Sequence, residues 1–314
     1  MMKRFLAAAL SCLLLLMAGC GSQPQEKEKK LSKLTIGLMP DTDSIPFIIA
    51  AEHGYFAEEG VEVELVPFKS AMERDAALQS GNLDGAISDL LAVIFARSGG
   101  FAVHATSYTD GNYNLVAGGN SGIAASADLR GKEIAISRNT IIEYVTDEIL
   151  AVNGIEEQDV SKVVIPQIPV RLEMLQSENL AAAVLPEPMA SVAVASGSHY
   201  VTGSGELDIN PGVIVFSDTS IQENEASIRA MYRAYNKAVN YLNNTPRTEY
   251  IDLVMEKSGF PAPARDALEL KPYRSAGMPA QKDVEEAVHW VKSKDLAGDY
   301  SYDDLVSKLL AEEK

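Results

Sequence analysis

Residues 34–56 constrain the fold more than any other stretch of this chain, because they predict a strand, a loop and a helix in direct succession. The apolar run 34–39 predicts a buried strand, and the polar residues 40–44 after it predict a loop. Pro46 then suits the first turn of a helix. In open α/β sheets, ligands bind where a strand leads into a helix N-terminus, because the amide groups there are unpaired. We therefore expect residues 41–47 to form one side of a small-molecule site; a plain connection that binds nothing is the alternative.

Beyond residue 56, predicted strands alternate with predicted helices, which is typical of a mostly parallel sheet with helices on both faces. A second unit of this kind begins near Asp128, and the apolar segment 211–216 predicts a strand that returns to the first sheet. We therefore expect an α/β fold with two lobes, each a parallel or mixed sheet with flanking helices. Two chain crossings would form a hinge, and a ligand cleft would lie between the lobes. The expected boundaries place residues 33–118 and 212–314 in lobe one and residues 119–211 in lobe two.

The first 20 residues have the pattern of a bacterial lipoprotein signal peptide. Lys3 and Arg4 precede an apolar run at 5–18, which is too short to span a bilayer in the usual way. The run ends in Met-Ala-Gly-Cys, which resembles a lipobox, so cleavage would leave a lipid-modified Cys20 at the new N-terminus. Residues 21–33 are polar without apolar periodicity and predict a flexible tether. The protein is therefore expected outside the cytoplasm and anchored to the membrane by lipid; a secreted protein cleaved elsewhere is the alternative.

The cysteine, histidine and charge content argues against several classes of function. The two cysteines are Cys12 and Cys20, so the mature domain has no disulfide and no thiolate metal site. The four histidines do not occur at ligand spacing, and we expect no metal and no cofactor. With 44 acidic and 27 basic residues, the formal net charge of −17 repels nucleic acid and anionic lipid head groups. We expect a monomer whose partner is a small molecule.

Four further segments carry recognisable patterns: HGYFAEEGV at 53–61, LQSGNLDGAISD at 78–89, LRGKEIAIS at 129–137 and AAAVLPEPMAS at 181–191. With the lipobox, they resemble the periplasmic solute-binding proteins of ABC importers for nitrate, sulfonates, taurine and pyrimidine or thiamine precursors. The resemblance covers nearly all of the mature chain. It implies a two-lobed periplasmic-binding-protein fold and no enzymatic activity. It also implies that the protein captures a solute, closes its lobes and delivers the solute to an ABC permease in the membrane.

The resemblance places the ligand against loop tips at the strand ends of both lobes. The implied ligand-binding residues are Asp41, Thr42, Ser44, Phe47, Ser88, Asp89, Ser107, Tyr108, Ser137, Asn139, Thr140 and Glu187. Several of them also have a structural explanation. Asp43, Asp89 and Asn139 are suited to capping helices. Glu187 is equally suited to accepting hydrogen bonds at a lobe crossing, and Tyr108 to half-buried packing.

The charges in these loops predict the class of ligand. Arg138 is the only nearby cation, whereas five acids lie in the loops: Asp41, Asp43, Asp89, Asp110 and Glu187. Because buried carboxylates disfavour an anion, we expect a neutral or cationic nitrogenous heterocycle, such as a pyrimidine or another vitamin-like compound. A sulfonate-, taurine- or nitrate-binding protein of the same fold is the alternative. Two further alternatives are a ligand-sensing subunit that docks on a membrane receptor and a secreted enzyme.

Overall fold

The structure is a computed structural model that describes residues 31–311 of the 314-residue chain. The predicted signal peptide with Cys20, and all but the end of the predicted tether, lie outside the described residues. The described part contains two five-stranded sheets, in the orders β2-β1-β3-β10-β4 and β7-β6-β8-β5-β9. The strands are β1 Leu34–Leu38, β2 Val63–Pro67, β3 Gly85–Asp89, β4 Val103–Tyr108, β5 Tyr113–Ala117, β6 Glu133–Ile136, β7 Ser161–Val164, β8 Ala182–Pro186, β9 His199–Gly203 and β10 Gly212–Ser217.

Both sheets have the same layout: three parallel strands are followed by an antiparallel strand and then by a fifth strand that pairs with it. In the first sheet, β1 pairs in parallel with β2 and β3, and β10 lies antiparallel between β3 and β4. In the second sheet, β6 pairs in parallel with β7 and β8, and β5 lies antiparallel between β8 and β9. The chain crosses between the sheets at residues 109–112 and again at 204–211. The predicted α/β fold with two mixed sheets and two crossings is therefore confirmed.

Strand β5 lies in the second sheet, whereas the predicted boundary at residue 118 placed it in lobe one. All five of its residues are buried, and they pair with β8 from Tyr113↔Pro186 to Ala117↔Ala182. The sequence YNLVA suits a buried strand of either sheet, so its apolar character does not select the partner. The returning strand was placed correctly, since Val213 pairs with Ser88 in the first sheet.

The helices cover both faces of each sheet and form two apolar layers. One layer joins α1 and α8 with α6 and α7, and the other joins α4 and α11 with α5. Within residues 31–311, no helix is both long enough and apolar enough to cross a membrane. The helices are α1 Ile45–Glu52, α2 Tyr55–Glu58, α3 Ala71–Gln79, α4 Leu90–Ser98, α5 Ile141–Val152, α6 Ile168–Gln176, α7 Met189–Ala195, α8 Asp218–Asn244, α9 Ile251–Ser258, α10 Ala264–Ala267, α11 Gln281–Ser293 and α12 Tyr302–Leu305.

The strand–loop–helix predicted at residues 34–56 is present, with one difference at the cap. Strand β1 leads into a short 3₁₀ turn, Thr42–Ser44, and then into α1, whose first turn contains Pro46. The cap of the turn is Asp41, whose Oδ1 accepts a hydrogen bond from the Asp43 amide at 3.2 Å. Ser44 instead donates its hydroxyl to the Met39 carbonyl at 2.6 Å. Asp41 is thus fixed at the end of β1, on the side that faces the other lobe.

Candidate ligand site

A buried cavity of about 40 Å³ lies between the strand ends of the two lobes. One water needs roughly 10–15 Å³ by the same measure, so the cavity in this closed arrangement holds only a small group. The lobes meet beside it, where the Ile168 amide donates to the Lys69 carbonyl at 3.1 Å. The cavity is lined by Met39, Asp41, Ala71, Arg74, Ile87, Ser88, Asp89, Tyr113, Ser137, Thr140, Ile141, Ile142, Pro166, Ile168, Arg171 and Pro186.

Arg171, on helix α6 of the second lobe, is the most unusual residue of the cavity. Its side chain is fully buried. Nε donates to the Val184 carbonyl at 3.0 Å and Nη1 to the Ile165 carbonyl at 2.8 Å, while Nη2 has no partner among the described residues. Burial lowers the pKa of the guanidinium to about 10, so it remains charged at neutral pH. Among residues 31–311, no carboxylate forms an ion pair with it, which leaves a buried positive charge without its counter-charge.

Arg74, on helix α3 of the first lobe, is a second buried cation, but it is paired. Its Nη2 lies 2.7 Å from Asp75 Oδ1 and 3.9 Å from Asp89 Oδ2. Its Nη1 also donates to the Ile87 carbonyl at 3.2 Å. The two arginines therefore approach one cavity from opposite lobes, and only the one from the second lobe is without an acidic partner in the described chain.

Two carboxyl groups from the first lobe also line the cavity. Asp89 caps helix α4 by accepting from the Ala92 amide at 2.8 Å. Burial raises the pKa of Asp89 to about 6, against the lowering effect of Arg74 and of the Ala92 and Ile141 amides. Burial raises the pKa of Asp41 to about 7, again opposed by Arg74 and by nearby amides. Both carboxyls therefore titrate much closer to neutral pH than an exposed aspartate does.

The second lobe contributes the start of helix α5 to the cavity. Thr140 caps this helix, because its hydroxyl accepts from the Ile142 amide at 3.2 Å and donates to the Ser137 carbonyl at 2.7 Å. The positive end of the helix dipole and its first amides therefore face the cavity, which favours negative charge there. In this structure, the Ile141 amide lowers the pKa of Asp89 across the cleft.

The structure brings five of the twelve predicted site residues to the cavity: Asp41, Ser88, Asp89, Ser137 and Thr140. Seven lie elsewhere. Phe47 belongs to the core, with its ring 5.2 Å from that of Tyr235, and Ser44 is held by the Met39 carbonyl. Asn139 is exposed, and its backbone has a φ of +55°.

The remaining four residues have structural roles near the crossings. Ser107 accepts from the Gly277 amide at 3.1 Å, and the Tyr108 hydroxyl donates to the Ser275 carbonyl at 2.7 Å. Glu187 accepts from Asn114 Nδ2 at 2.7 Å and from the Ser191 amide at 3.2 Å. The Glu187 carbonyl in turn accepts from the Thr42 amide at 3.0 Å. Glu187 thus accepts hydrogen bonds within the chain at the lobe crossing, and its role as a ligand contact stays a prediction.

The charge count made from the sequence was wrong, because it omitted Arg74 and Arg171. Arg138 is exposed, and Asp110 is paired with Arg274 at 2.5 Å, outside the cavity. A signal for Arg171 exists in the sequence: it lies three residues after Ile168 and four before Leu175, within the apolar stripe of its helix. A charged residue inside such a stripe is either paired in the core or available to a ligand. Among the described residues, no group of three or more potential ligands is arranged to hold a metal ion.

Comparison with known proteins gives a family match and several structural matches. The model of a family described as "NMT1/THI5 like" matches residues 41–249. A sequence search of curated proteins finds no match.

Three of the similar solved structures show how widely the fold is used. The alkanesulfonate-binding protein SsuA from Xanthomonas axonopodis pv. citri, bound to MOPS, has a TM-score of 0.74 and 16% identity, over 85% of this chain and 94% of that one. The ligand-binding component of an ABC-type import system from Staphylococcus aureus, with zinc bound, has a TM-score of 0.76 and 17% identity, over 90% and 99%. The desulfurization enzyme DszB has a TM-score of 0.65 and 13% identity, over 89% and 98%. At these identities the likeness shows a shared fold, which binding proteins and an enzyme both use.

Proposed function

The chain belongs to the NMT1/THI5-like family, and on that basis we propose that it is the extracytoplasmic solute-binding protein of an ABC importer. It captures a small solute between its lobes and delivers it to the membrane permease as a monomer. The hinge consists of the two crossings at residues 109–112 and 204–211. A ligand that contacts both lobes favours closure only through the contacts that the closed form adds, and the cavity supplies such contacts from both sides.

The observation that carries the ligand class is the unpaired charge of Arg171. A buried cation without a counter-ion is costly, and an anionic group of the ligand would offset that cost. The start of helix α5 lies on the same cavity and adds amide donors. We therefore favour a solute with a small oxyanion group, of the sulfonate or nitrate kind. This reverses the preference derived from sequence, because that preference rested on the omission of the two buried arginines.

A neutral or cationic nitrogenous heterocycle is the second candidate, and three residues favour it. Asp41 and Asp89 offer acceptors for N–H groups, and Tyr113 offers an aromatic ring. Ligand pockets commonly measure roughly 300–1,000 Å³, so a ring compound needs the lobes to close less far than in this structure. A zwitterion such as taurine combines both features, with its sulfonate toward Arg171 and its ammonium toward a carboxylate.

A ligand panel tests the proposal. The purified protein is titrated with nitrate, ethanesulfonate, taurine and an aminopyrimidine, and its melting temperature and heat of binding are recorded. A ligand at a hundred times its dissociation constant should stabilise the protein by about 2.7 kcal/mol. A response to the oxyanions supports the favoured class, and a response to the aminopyrimidine alone supports the second candidate. No response to any of the four argues against the proposed function.

The lipid anchor and the absence of catalysis belong to the same proposal and have separate tests. If Cys20 carries lipid, the wild-type protein fractionates with membranes, and Cys20→Ala moves it to the soluble extracytoplasmic fraction. Equal membrane association of both forms would contradict the anchor. Incubation of the protein with each panel compound, followed by mass spectrometry, should recover the compound unchanged. A chemically altered compound would instead support the secreted-enzyme alternative.

A further inference from the structure

The formal charges that line the ligand cavity sum to zero without a ligand, although Arg171 forms no direct ion pair with a described residue. Two guanidinium groups, from Arg74 and Arg171, face two carboxyl groups, from Asp41 and Asp89. Asp75 contacts Arg74 from outside the cavity and adds one more negative charge. A monoanion that enters this closed space therefore brings an excess of negative charge, which is costly where water is excluded. Neutralising one carboxyl with a proton offsets the charge that the monoanion adds.

Asp41 is the carboxyl best placed to take that proton. Asp89 lies 3.9 Å from Arg74 Nη2, and it also accepts from the Ala92 amide, so its anionic form is supported. Asp41 accepts a 3.2 Å hydrogen bond from the Asp43 amide and forms no ion pair with any residue between 31 and 311. Its side chain is only 5% exposed and lies on the cavity surface. An anion beside Asp41 would thus repel a carboxylate that has little compensation of its own.

We propose that the closed site binds an anionic solute together with one proton, and that Asp41 carries this proton. The protonated carboxyl then donates its O–H to an oxygen of the ligand, instead of repelling it. This inference rests on the proposed function, and it deepens it by making uptake of anions proton-linked. At pH 8 a carboxyl with the Asp41 pKa of about 7 is mostly ionised in the ligand-free protein, so closure over the anion takes the proton from the solvent.

The groups around Asp41 are consistent with this assignment. Asp43, on the same segment, is fully buried, and its Oδ2 has no partner in the described chain; burial and the charge of Asp41 raise its pKa well above the usual range. Both effects favour the neutral form of Asp43. Tyr113 on β5 is also neutral, because burial raises its pKa well above its ordinary value. Arg74 on α3 opposes the protonation of Asp41, and yet burial keeps the Asp41 pKa at about 7.

Proton counting by isothermal titration calorimetry tests the inference on the wild-type protein. Ethanesulfonate and nitrate are suitable probes, because neither titrates near neutral pH. Binding is measured at pH 8 in buffers of different ionisation enthalpy, so that the slope gives the number of protons taken up. We expect uptake approaching one proton, and a dissociation constant that rises by up to tenfold per pH unit above pH 7. Binding of either anion without proton uptake would overturn the inference and leave the proposed function intact.

Two variants identify the residue that takes up the proton. Asp41→Asn should reduce the uptake by at least half and flatten the pH dependence of the dissociation constant. Asp252→Asn is the matched control, because Asp252 is exposed and paired with Arg265, away from the cavity. Its proton count should equal that of the wild type. Undiminished uptake in Asp41→Asn would assign the proton to another group and overturn the role of Asp41, and no binding of any panel compound would overturn the proposed function itself.

Discussion

Helix α5 lies between two groups of buried charges that are organised in opposite ways. On one side is the Asp147 cluster, in which Glu143, Asp147, Lys162 and Lys294 are largely buried and Glu157 is exposed. There Lys294 lies 2.7 Å from Asp147, and Lys162 contacts three carboxylates: Glu143, Asp147 and Glu157. Trp290 Nε1 also donates to Asp147 at 3.0 Å. At the N-terminal end of the same helix lies the ligand cavity, where Arg171 has no such partner.

Under the proposed function, the difference separates a structural use of buried charge from a ligand-binding one. Every charged group of the Asp147 cluster has an oppositely charged partner within the cluster. The cluster also joins α5 of the second lobe to α11, and α11 packs against α4 of the first lobe. The cavity leaves its counter-charge to be supplied from outside. A buried ion network that is paired within the chain contributes to stability and specificity, whereas an unpaired buried ion is expected to find its partner in a ligand.

The largest expected effect is a loss of stability from a substitution in the Asp147 cluster. Asp147→Ala removes the carboxylate shared by Lys162, Lys294 and Trp290, and it leaves two largely buried ammonium groups with less compensation. The free energy of unfolding should fall by about 3–5 kcal/mol. Urea denaturation measures this loss, while ligand affinity under folding conditions should change little. If the ligand affinity fell as much as the free energy of unfolding, the Asp147 cluster and the charges of the ligand cavity would not act independently. Asp303→Ala, on the exposed Lys308 pair, is the control.

The second effect is on the unpaired side. Arg171→Met keeps most of the buried volume and removes the charge, so an oxyanion should bind about 10–150-fold more weakly, equivalent to about 1.5–3 kcal/mol. Calorimetric titration with ethanesulfonate or nitrate measures the loss. Arg265→Met, on an exposed and paired arginine, should bind like the wild type. Unchanged affinity in Arg171→Met would show that the anion does not bind beside Arg171 in the cavity.

The third effect is the dependence of stability on pH in the ligand-free protein. The pKa of Asp41 is about 7 in the folded state, above its ordinary value of 3.8, so the folded state binds more protons between these values. Its contribution to stability is therefore most favourable below pH 4 and is lost as the pH rises toward 7. Asp41→Asn should narrow the difference in unfolding free energy between pH 6 and pH 8 by about 1–2 kcal/mol. An unchanged difference would show that Asp41 titrates normally in the folded protein.

The smallest effect concerns Asn139, which the sequence placed in the site. Its side chain is exposed, and its φ of +55° suits asparagine or glycine better than alanine. Asn139→Ala should lower the free energy of unfolding by about 1 kcal/mol and leave ligand affinity unchanged. Asn139→Gly should restore the stability. A loss of ligand affinity in the alanine variant at unchanged stability would show that Asn139 contacts the ligand.

Sequence patterns predicted the elements of this protein better than their partners. The strand at 34–38, its loop and the helix with Pro46 were predicted because local chemistry determines each of them. In contrast, the sheet to which β5 belongs depends on which strand it meets across about 70 residues, and the apolar run YNLVA contains no such information.

The same reasoning explains which site residues were found. Asp41, Ser88, Asp89, Ser137 and Thr140 lie at strand ends, where the fold rule places ligands. Arg74 and Arg171 lie within helices, and their side chains reach the cavity only because of how those helices pack. A helical arginine is ordinarily assigned to solvent, so tertiary packing, and not a local pattern, decides its role.

The interleaved origin of the first sheet has a consequence for the order in which the two sheets can form. Strands β5 to β9 of the second sheet form one continuous stretch of sequence, so that sheet can assemble without any later strand of the chain. In the first sheet, β4 pairs with β10 and with no other strand of that sheet, and β10 emerges about a hundred residues later. The backbone of residues 103–108 therefore has no strand partner until residues 212–217 insert between these residues and β3. We infer that the second lobe can complete its sheet before the first lobe does.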